Sequence, residues 1–209
     1  MKPLYACLLD LSSVRVLVVG GGRVARRKAL GVIEAGGSPV VVAPAACPDL
    51  ERLANQRRLT LERRRYRSPE ADGYGVVFAA TSDPAVNRQV AGDAGGWVNV
   101  ADHPGVSTLH TPAVVRRGGV VATVSTGGAA PLLAGRLRDR VAAAIPPGAG
   151  KAARRLSGVR KLIHGRWPDD PERRHRCWQE LVSEEFVDAA LRGDDQDVKE
   201  RIERCLLQS

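Results

Sequence analysis

Three consecutive glycines, Gly20 to Gly22, lie between the apolar run VRVLVV and the basic segment RVARRKAL. With Ala25 they match the pattern G-x-G-x-x-A. The first glycine of such a turn permits a tight bend, the second lets a pyrophosphate approach the backbone, and the small third residue lets the helix pack on the strand. The N–H groups at the start of the helix would bind the phosphates. The pattern predicts a dinucleotide site with contacts at Gly20 and Gly22, and the alternative is a glycine-rich turn without a ligand.

The second strand lacks the acidic residue that dinucleotide sites commonly use. The usual fingerprint has an Asp or Glu at the end of this strand to hold the adenine ribose. Here the strand reads PVVVAP and ends in the segment 42–45, which contains neither an acid nor an arginine that would accept the 2′-phosphate of NADP. Ribose contacts would therefore come from the backbone around Ala43 and Pro44.

A candidate for acid–base chemistry follows the last apolar strand of this region, within WVNVADHP. Asp102 and His103 stand directly after the strand, and open α/β sheets bind their ligands at the carboxyl ends of their strands. A carboxylate there could act as a general acid or base beside a nicotinamide. An aspartate at this place also has a purely structural explanation, since Asp often starts a turn near a proline. His103 is the weaker candidate of the two.

Strands and helices alternate along the first half of the chain. The strands are expected at 14–19, 39–44, 59–66, 74–81 and 97–102, and the helices at 23–35, near 48–57 and from Pro84 onward, with Asp83 as the cap of the last one. This alternation at short spacing predicts an α/β fold with a Rossmann-like parallel sheet.

The pattern changes after Pro112. Two β-branched runs, Ala113–Val115 and Val120–Ser125, are joined by the segment 116–119, which predicts a hairpin. AAPLLAGRLRDRVAAAI then predicts an amphipathic helix that ends before Pro146. The remainder is polar, and its apolar residues recur three and four positions apart, which predicts helices.

Composition and charge narrow the class of protein. The chain has 209 residues and a formal net charge of +9. No apolar run approaches the roughly 20 residues of a membrane helix, and the N-terminal segment lacks the features of a signal peptide. The four cysteines are widely spaced and form no C-x-x-C pattern. We therefore expect reduced thiols in a cytoplasmic protein, with neither a disulfide nor a metal site.

Several motifs together resemble one family, the precorrin-2 dehydrogenases, which also form the N-terminal part of siroheme synthases. In chain order, the motifs are VLVVGGGRVARRKAL, PVVVAP, FAATSDPAVN, VNVADHP and VSTGGAAPLLAGRLRDRV. The resemblance covers residues 3–147 and is only general beyond them. It implies a homodimer that oxidises precorrin-2 to sirohydrochlorin with NAD, a step of siroheme and wider tetrapyrrole (porphyrin) biosynthesis. Some members also insert iron into the product, an activity that these motifs leave open.

The resemblance also implies roles for segments and residues. It implies an NAD-binding Rossmann domain at 1–112, a dimerisation module at 113–147 and a C-terminal helical module at 148–209. Asp102 matches the family's essential aspartate. The expected contacts to NAD are Gly20, Gly22, Arg23, Val24, Ala43, Pro44, Ala45 and Thr81, and those to the substrate are His103, Ser125, Thr126, Gly127 and Gly128.

The basic charge agrees with this interpretation, because precorrin-2 is a polycarboxylate that a basic cleft would attract. Two alternatives remain. A non-catalytic NAD-sensing module would bind NAD without turnover and would not need Asp102. A nucleic-acid binder would use the basic excess, but the chain has no recognised motif and too few aromatic residues for base stacking. We expect neither a nucleic acid nor a membrane as a partner.

Overall fold

The computed structural model describes residues 3–208, and the chain divides into two compact units after Thr111. The first unit contains five strands, three α-helices and a short 3-10 helix at Glu70–Gly73. The strands are β1 (Val16–Val19), β2 (Val40–Val42), β3 (Thr60–Glu62), β4 (Val76–Ala79) and β5 (Trp97–Val100), and the helices are α1 (Arg23–Glu34), α2 (Pro48–Asn55) and α3 (Pro84–Asp93). The strands form one parallel sheet in the order β3-β2-β1-β4-β5. The predicted α/β fold is confirmed.

Both faces of the sheet are buried. Successive residues of a strand point to opposite faces, so Val16 and Val18 lie in a cluster with Ala25 of α1, while Leu17 lies in a second cluster with Val90 of α3. A strand that is covered on both sides needs apolar residues at every position. For this reason β1 and β4 have continuous apolar sequences and were predictable.

The connections of the first unit follow the sequence with one exception. Asp83 caps α3 as expected, because its carboxylate accepts the N–H groups of Ala85 at 2.8 Å and Val86 at 3.4 Å. The strand predicted at 59–66 is too long. The chain leaves the sheet after Glu62, where Arg64 forms ion pairs with Glu62 and Glu70.

The second unit begins with an antiparallel hairpin of β6 (Ala113–Arg117) and β7 (Val120–Val124), followed by α4 (Pro131–Ala144). The hairpin prediction is confirmed, but the predicted connection at 116–119 is too long. Arg116 and Arg117 are paired with β7, and only Gly118 and Gly119 form the turn. Gly118 has a φ of +59°, a conformation that two-residue hairpin turns require and that glycine adopts without strain.

The rest of this unit is a helical cluster. Its helices are α5 (Ala149–Arg166), α6 (Pro171–Leu181), α7 (Glu184–Arg192) and α8 (Asp195–Gln208). Ile163, Leu181 and Phe186 are buried in its core. Ser183 separates α6 from α7, because its hydroxyl accepts the Phe186 N–H at 3.3 Å and so caps α7.

The expectation of four reduced cysteines is wrong for one pair. Cys177 on α6 and Cys205 on α8 form a disulfide within the helical cluster, whereas Cys7 and Cys47 are free thiols. The two paired cysteines are 28 residues apart in sequence. Their pairing depends on the packing of α6 beside α8, which no local spacing rule can show.

Candidate functional site

The carboxyl edge of the parallel sheet gathers most of the site residues predicted in the first unit. Gly20 follows β1, Ala43 follows β2, Thr81 comes after β4 and Asp102 comes after β5. Since β1 lies between β2 and β4, and β5 is next to β4, these residues lie along one continuous edge. This is the edge at which open α/β sheets bind their ligands.

The glycine turn is packed against the protein at two of its three positions. Gly20 has a φ of +130°, and a Cβ there would lie 2.3 Å from the carbonyl oxygen of Ala80. A Cβ at Gly21 would lie 1.8 Å from the carbonyl oxygen of Ala45. The fold itself therefore requires glycine at both positions, and the turn touches the end of β4 and the loop after β2.

Gly22 has a different environment, because a Cβ at this residue would meet no protein atom within 4 Å. It is the N-cap of α1, and no side chain caps this helix. The N–H groups of the first turn, which include those of Arg23 and Val24, have no intrahelical partner. An open, uncapped helix start beside a tight turn fits the pyrophosphate of a dinucleotide, whose negative charge the helix dipole stabilises.

The loop after β2 is held against this turn. The Cys47 N–H donates to the carbonyl oxygen of Gly21 at 2.8 Å. Ala43 is buried, whereas Pro44 and Ala45 are exposed. The loop thus presents backbone and apolar groups beside the glycine turn, as expected for a site without an acidic ribose ligand.

Thr81 is fixed at the same edge by Asn87 of α3, a side chain that is only 4% exposed. The Asn87 Oδ1 accepts the Thr81 N–H at 3.1 Å, and the Asn87 Nδ2 donates to the Thr81 carbonyl oxygen at 3.1 Å. The Thr81 hydroxyl lies 2.8 Å from the same Oδ1. Both the backbone and the hydroxyl of Thr81 are therefore held in one orientation.

Asp102 is exposed on a turn that Ser107 closes. The buried Ser107 hydroxyl accepts the Val100 N–H at 3.0 Å and lies 3.0 Å from the carbonyl oxygen of His103. Asp102 has a φ of +60°, in the left-handed region that few residues other than glycine adopt, although aspartate tolerates it better than most. Residues in such conformations cluster at functional sites. His103 is also exposed.

Lys28 of α1 contacts the segment that follows β5. Its Nζ donates to the Thr111 hydroxyl at 2.8 Å and lies 5.4 Å from the centroid of the Phe78 ring. The pKa of Lys28 is lowered to about 8, mainly by burial and also by repulsion from Arg27, while attraction to Asp102 opposes both effects.

The predicted substrate residues of the second unit form the turn between β7 and α4. The Ser125 Oγ accepts the Gly127 N–H at 3.2 Å, and the Thr126 Oγ1 accepts the Ala130 N–H at 3.1 Å. Gly127 and Gly128 have positive φ angles of 61° and 86°. The turn is compact, and its role in substrate binding stays a prediction.

Two further findings apply to the described residues only. Within residues 3–208, no group of three or more His, Cys, Asp or Glu side chains is placed to hold a metal ion. In the same range, no helix combines the length and the apolar character that a bilayer crossing requires.

Sequence reasoning missed Lys28, Asn87 and Ser107. In the sequence, the only indication of the role of Asn87 is that it is a polar residue three positions before Val90, on the face of α3 that is buried. Lys28 is one of four basic residues in RVARRK, and only the folded position of the helix distinguishes it from the others. Ser107 acts through contacts across a turn, which have no sequence pattern.

Comparison with known proteins identifies the family of the first unit. Residues 7–113 match the sequence model of a family described as "Putative NAD(P)-binding". This match begins before β1 and ends at the start of β6, so it contains the glycine turn and Asp102.

Curated relatives cover nearly the whole chain. The siroheme synthase of Chromobacterium violaceum is 38% identical over 203 residues, which are 96% of this chain and 43% of that protein. The siroheme synthase of Methylococcus capsulatus is 35% identical over 99% of this chain and 43% of its own length. The chain therefore spans less than half the length of the curated relatives it matches.

A solved structure matches the chain from end to end. SirC, a precorrin-2 dehydrogenase, superimposes with a TM-score of 0.80 at 25% sequence identity, over 99% of this chain and 100% of that one. The resemblance that the motifs indicated is confirmed by these comparisons.

Proposed function

Because the chain belongs to this NAD(P)-binding family, we propose that it is an NAD-dependent dehydrogenase that oxidises precorrin-2 to sirohydrochlorin. The observation that carries the proposal is the position of the exposed Asp102 carboxylate on the same sheet edge as the open start of α1. The similarity to a precorrin-2 dehydrogenase over 99% of the chain supports the choice of substrate.

In this proposal the backbone of the glycine turn binds the dinucleotide. Gly22 leaves room for the pyrophosphate, and the N–H groups of Arg23 and Val24 donate to it. The loop 43–45 contacts the adenine ribose through its backbone, and Thr81 orients the remaining half of the dinucleotide. NAD+ supplies a hydride acceptor, while the protein supplies orientation and electrostatics.

The proposed reaction removes two hydrogens from the macrocycle. One C–H bond breaks with its electron pair, which leaves as a hydride, and a second hydrogen leaves as a proton. Asp102 accepts that proton or orients the group that loses it. The products are sirohydrochlorin, NADH and one proton, so atoms and electrons balance without another oxidant.

The proposal also includes a substrate site and a homodimer. The turn at 125–128 would contact the tetrapyrrole, and Arg116 and Arg117 would contribute to the positive field that attracts its carboxylates. The hairpin valines of β6 and β7 are mostly only half-buried, and Leu132 of α4 is exposed. These apolar surfaces support a second copy of the chain as the partner of this module, in a cytoplasmic enzyme.

The direct test is turnover by the purified protein with precorrin-2 and NAD+. We expect NADH and sirohydrochlorin to form in equal amounts, and NADP+ to be the poorer acceptor. Addition of ferrous iron as a substrate would show whether siroheme follows. Tight binding of NAD+ without any turnover would refute the dehydrogenase and favour the sensing module.

A further inference from the structure

Two side-chain hydroxyls cover the outer edge of β5. This strand is the last one in the sheet, and an edge strand presents N–H groups that a further strand would otherwise pair. The Val98 N–H donates to the Thr108 hydroxyl at 2.9 Å, and the Val100 N–H donates to the Ser107 hydroxyl at 3.0 Å. Ser107 and Thr108 thus take the place that the backbone carbonyl groups of another strand would occupy.

Ser107 differs from Thr108 because its hydroxyl also reaches the turn that carries Asp102. Ser107 is 7% exposed, and its oxygen lies 3.0 Å from the carbonyl oxygen of His103 and 3.4 Å from that of Val100. A hydroxyl has one proton to donate, and the His103 carbonyl is the nearer acceptor. The Ser107 hydroxyl therefore joins the far side of the turn to the end of β5.

The backbone is fixed on both sides of Asp102. The Ala101 N–H donates to the Ala79 carbonyl oxygen at 2.9 Å, and the His103 N–H donates to the Val100 carbonyl oxygen at 3.3 Å. Asp102 lies between these two contacts with a φ of +60°. A residue other than glycine keeps such a conformation only where the surrounding structure holds it.

We propose that Ser107 is a positioning residue that acts through the backbone of the Asp102 turn. Its hydroxyl holds Asp102 in the left-handed conformation, and this fixes the direction in which the carboxylate leaves the backbone. The inference rests on the proposed function, in which Asp102 is the acid–base group.

The physical reason is the set of partners that the hydroxyl supplies. Without it, the buried Val100 N–H and the His103 carbonyl each lose a hydrogen bond, and water can replace the hydroxyl only if the turn opens. An open turn lets Asp102 relax to a negative φ, which an L-residue prefers, and its carboxylate then moves. A displacement of about 1 Å at a reacting group is enough to lower a rate strongly.

The first experiment needs no substrate. Amide hydrogen exchange of His103 is measured by NMR in the wild type, in Ser107→Ala and in Thr108→Val. Thr108→Val is the matched control, because it removes the neighbouring hydroxyl from the same strand edge at Val98, before the Asp102 turn begins.

We expect the His103 amide to exchange at least about tenfold faster in Ser107→Ala, because the turn opens more often, and at the wild-type rate in Thr108→Val. Unchanged exchange in Ser107→Ala, or equal acceleration in both variants, would overturn the proposal.

The second experiment measures turnover of precorrin-2 and NAD+ by the same three proteins, with urea unfolding to determine how much of each is folded. Ser107→Ala is expected to lower kcat by at least about tenfold, with the KM for NAD+ unchanged because the glycine turn is not altered. Thr108→Val should keep the wild-type kcat. A purely structural role would reduce the amount of folded protein and leave the kcat of the folded fraction unchanged, and that result would overturn the proposal.

A second substitution keeps the test decisive if Ser107→Ala does not fold. In Ser107→Cys the thiol fills nearly the same space but donates and accepts only weakly, so kcat should fall in the same direction by a smaller factor. A wild-type kcat in Ser107→Cys would then contradict the proposal. If the wild type itself shows no turnover, the proposed function fails, and the exchange of the His103 amide alone decides whether Ser107 holds the turn.

Discussion

Gly21 and Gly22 are neighbours in sequence, yet their surroundings differ. The carbonyl oxygen of Ala45 occupies the space in which a Gly21 side chain would lie, whereas no protein atom approaches that space at Gly22. The pattern G-x-G-x-x-A predicted the turn but could not distinguish these two environments. The contacts of polar side chains such as Lys28 and Asn87 were not predicted, because they depend on which residues the fold brings next to them.

Gly22→Ala tests the open position. An added methyl at this position meets no protein atom, so the free energy of unfolding should change little. The same methyl should hinder the pyrophosphate and weaken NAD+ binding by at least about tenfold, or 1.4 kcal/mol. Isothermal titration calorimetry and urea unfolding measure the two quantities. Gly31→Ala, also in open space on α1, is the matched control and should leave NAD+ affinity unchanged. Equal NAD+ affinity in Gly22→Ala and the wild type would contradict a phosphate site here.

At the scale of secondary-structure elements, the strands of the sheet were the elements that the sequence predicted best. β1 and β4 were predictable because burial on both faces requires continuous apolar residues. The hairpin of β6 and β7 was predictable because its turn needs glycine. β3 was predicted too long. The chain leaves the sheet after Glu62, where Arg64 forms ion pairs with Glu62 and Glu70. The disulfide depends on helix packing, which the sequence spacing of Cys177 and Cys205 did not reveal.

Glu70 tests the contacts that end β3. Hydrogen bonds from the Arg64 guanidinium hold the pKa of Glu70 below its usual range, with the Arg67 N–H contributing at 2.7 Å. A lowered pKa means that the stabilisation is present above the unfolded pKa and is lost as the pH falls. Glu70→Gln should therefore cost about 1 kcal/mol of unfolding free energy at pH 7.

That difference should begin to shrink below about pH 4, where the carboxyl of the unfolded chain becomes protonated, and should be lost at the lower pH at which the folded carboxyl is protonated too. Urea unfolding of both proteins across this pH range measures it. Glu34→Gln, on the exposed end of α1, serves as the control and should change stability little at any pH. A cost for Glu70→Gln that does not vary with pH would refute the assignment to the ion pair.

At the scale of the whole molecule, the chain consists of two units with different sequence patterns. The first is an α/β domain of the NAD(P)-binding family, and the second combines a hairpin and helices. The sequence was least specific over residues 148–209, because an amphipathic pattern predicts that a helix forms but not which other helices it packs against. The proposed homodimer belongs to this scale.

Leu132 tests the homodimer. This side chain of α4 is 87% exposed in the single chain, and burial against a second copy would explain an apolar residue there. Leu132→Lys should convert the dimer to a monomer in sedimentation equilibrium. Leu207→Lys, which changes an equally exposed leucine of α8 outside the proposed interface, should remain dimeric. A monomeric wild type, or a Leu132→Lys variant with the mass of a dimer, would contradict the proposed interface.

The most direct test of the proposed dehydrogenase compares wild type, Asp102→Asn and His103→Ala with precorrin-2 and NAD+, following NADH formation. Asp102→Asn removes the charge of the proposed acid–base group at nearly constant volume, and His103→Ala changes the exposed neighbour on the same turn. We expect Asp102→Asn to bind NAD+ normally and to lose at least about a hundredfold in kcat, the lower end of what acid–base catalysis contributes, while His103→Ala loses far less. Full turnover by Asp102→Asn would contradict the role of this carboxylate and, with it, the proposed mechanism.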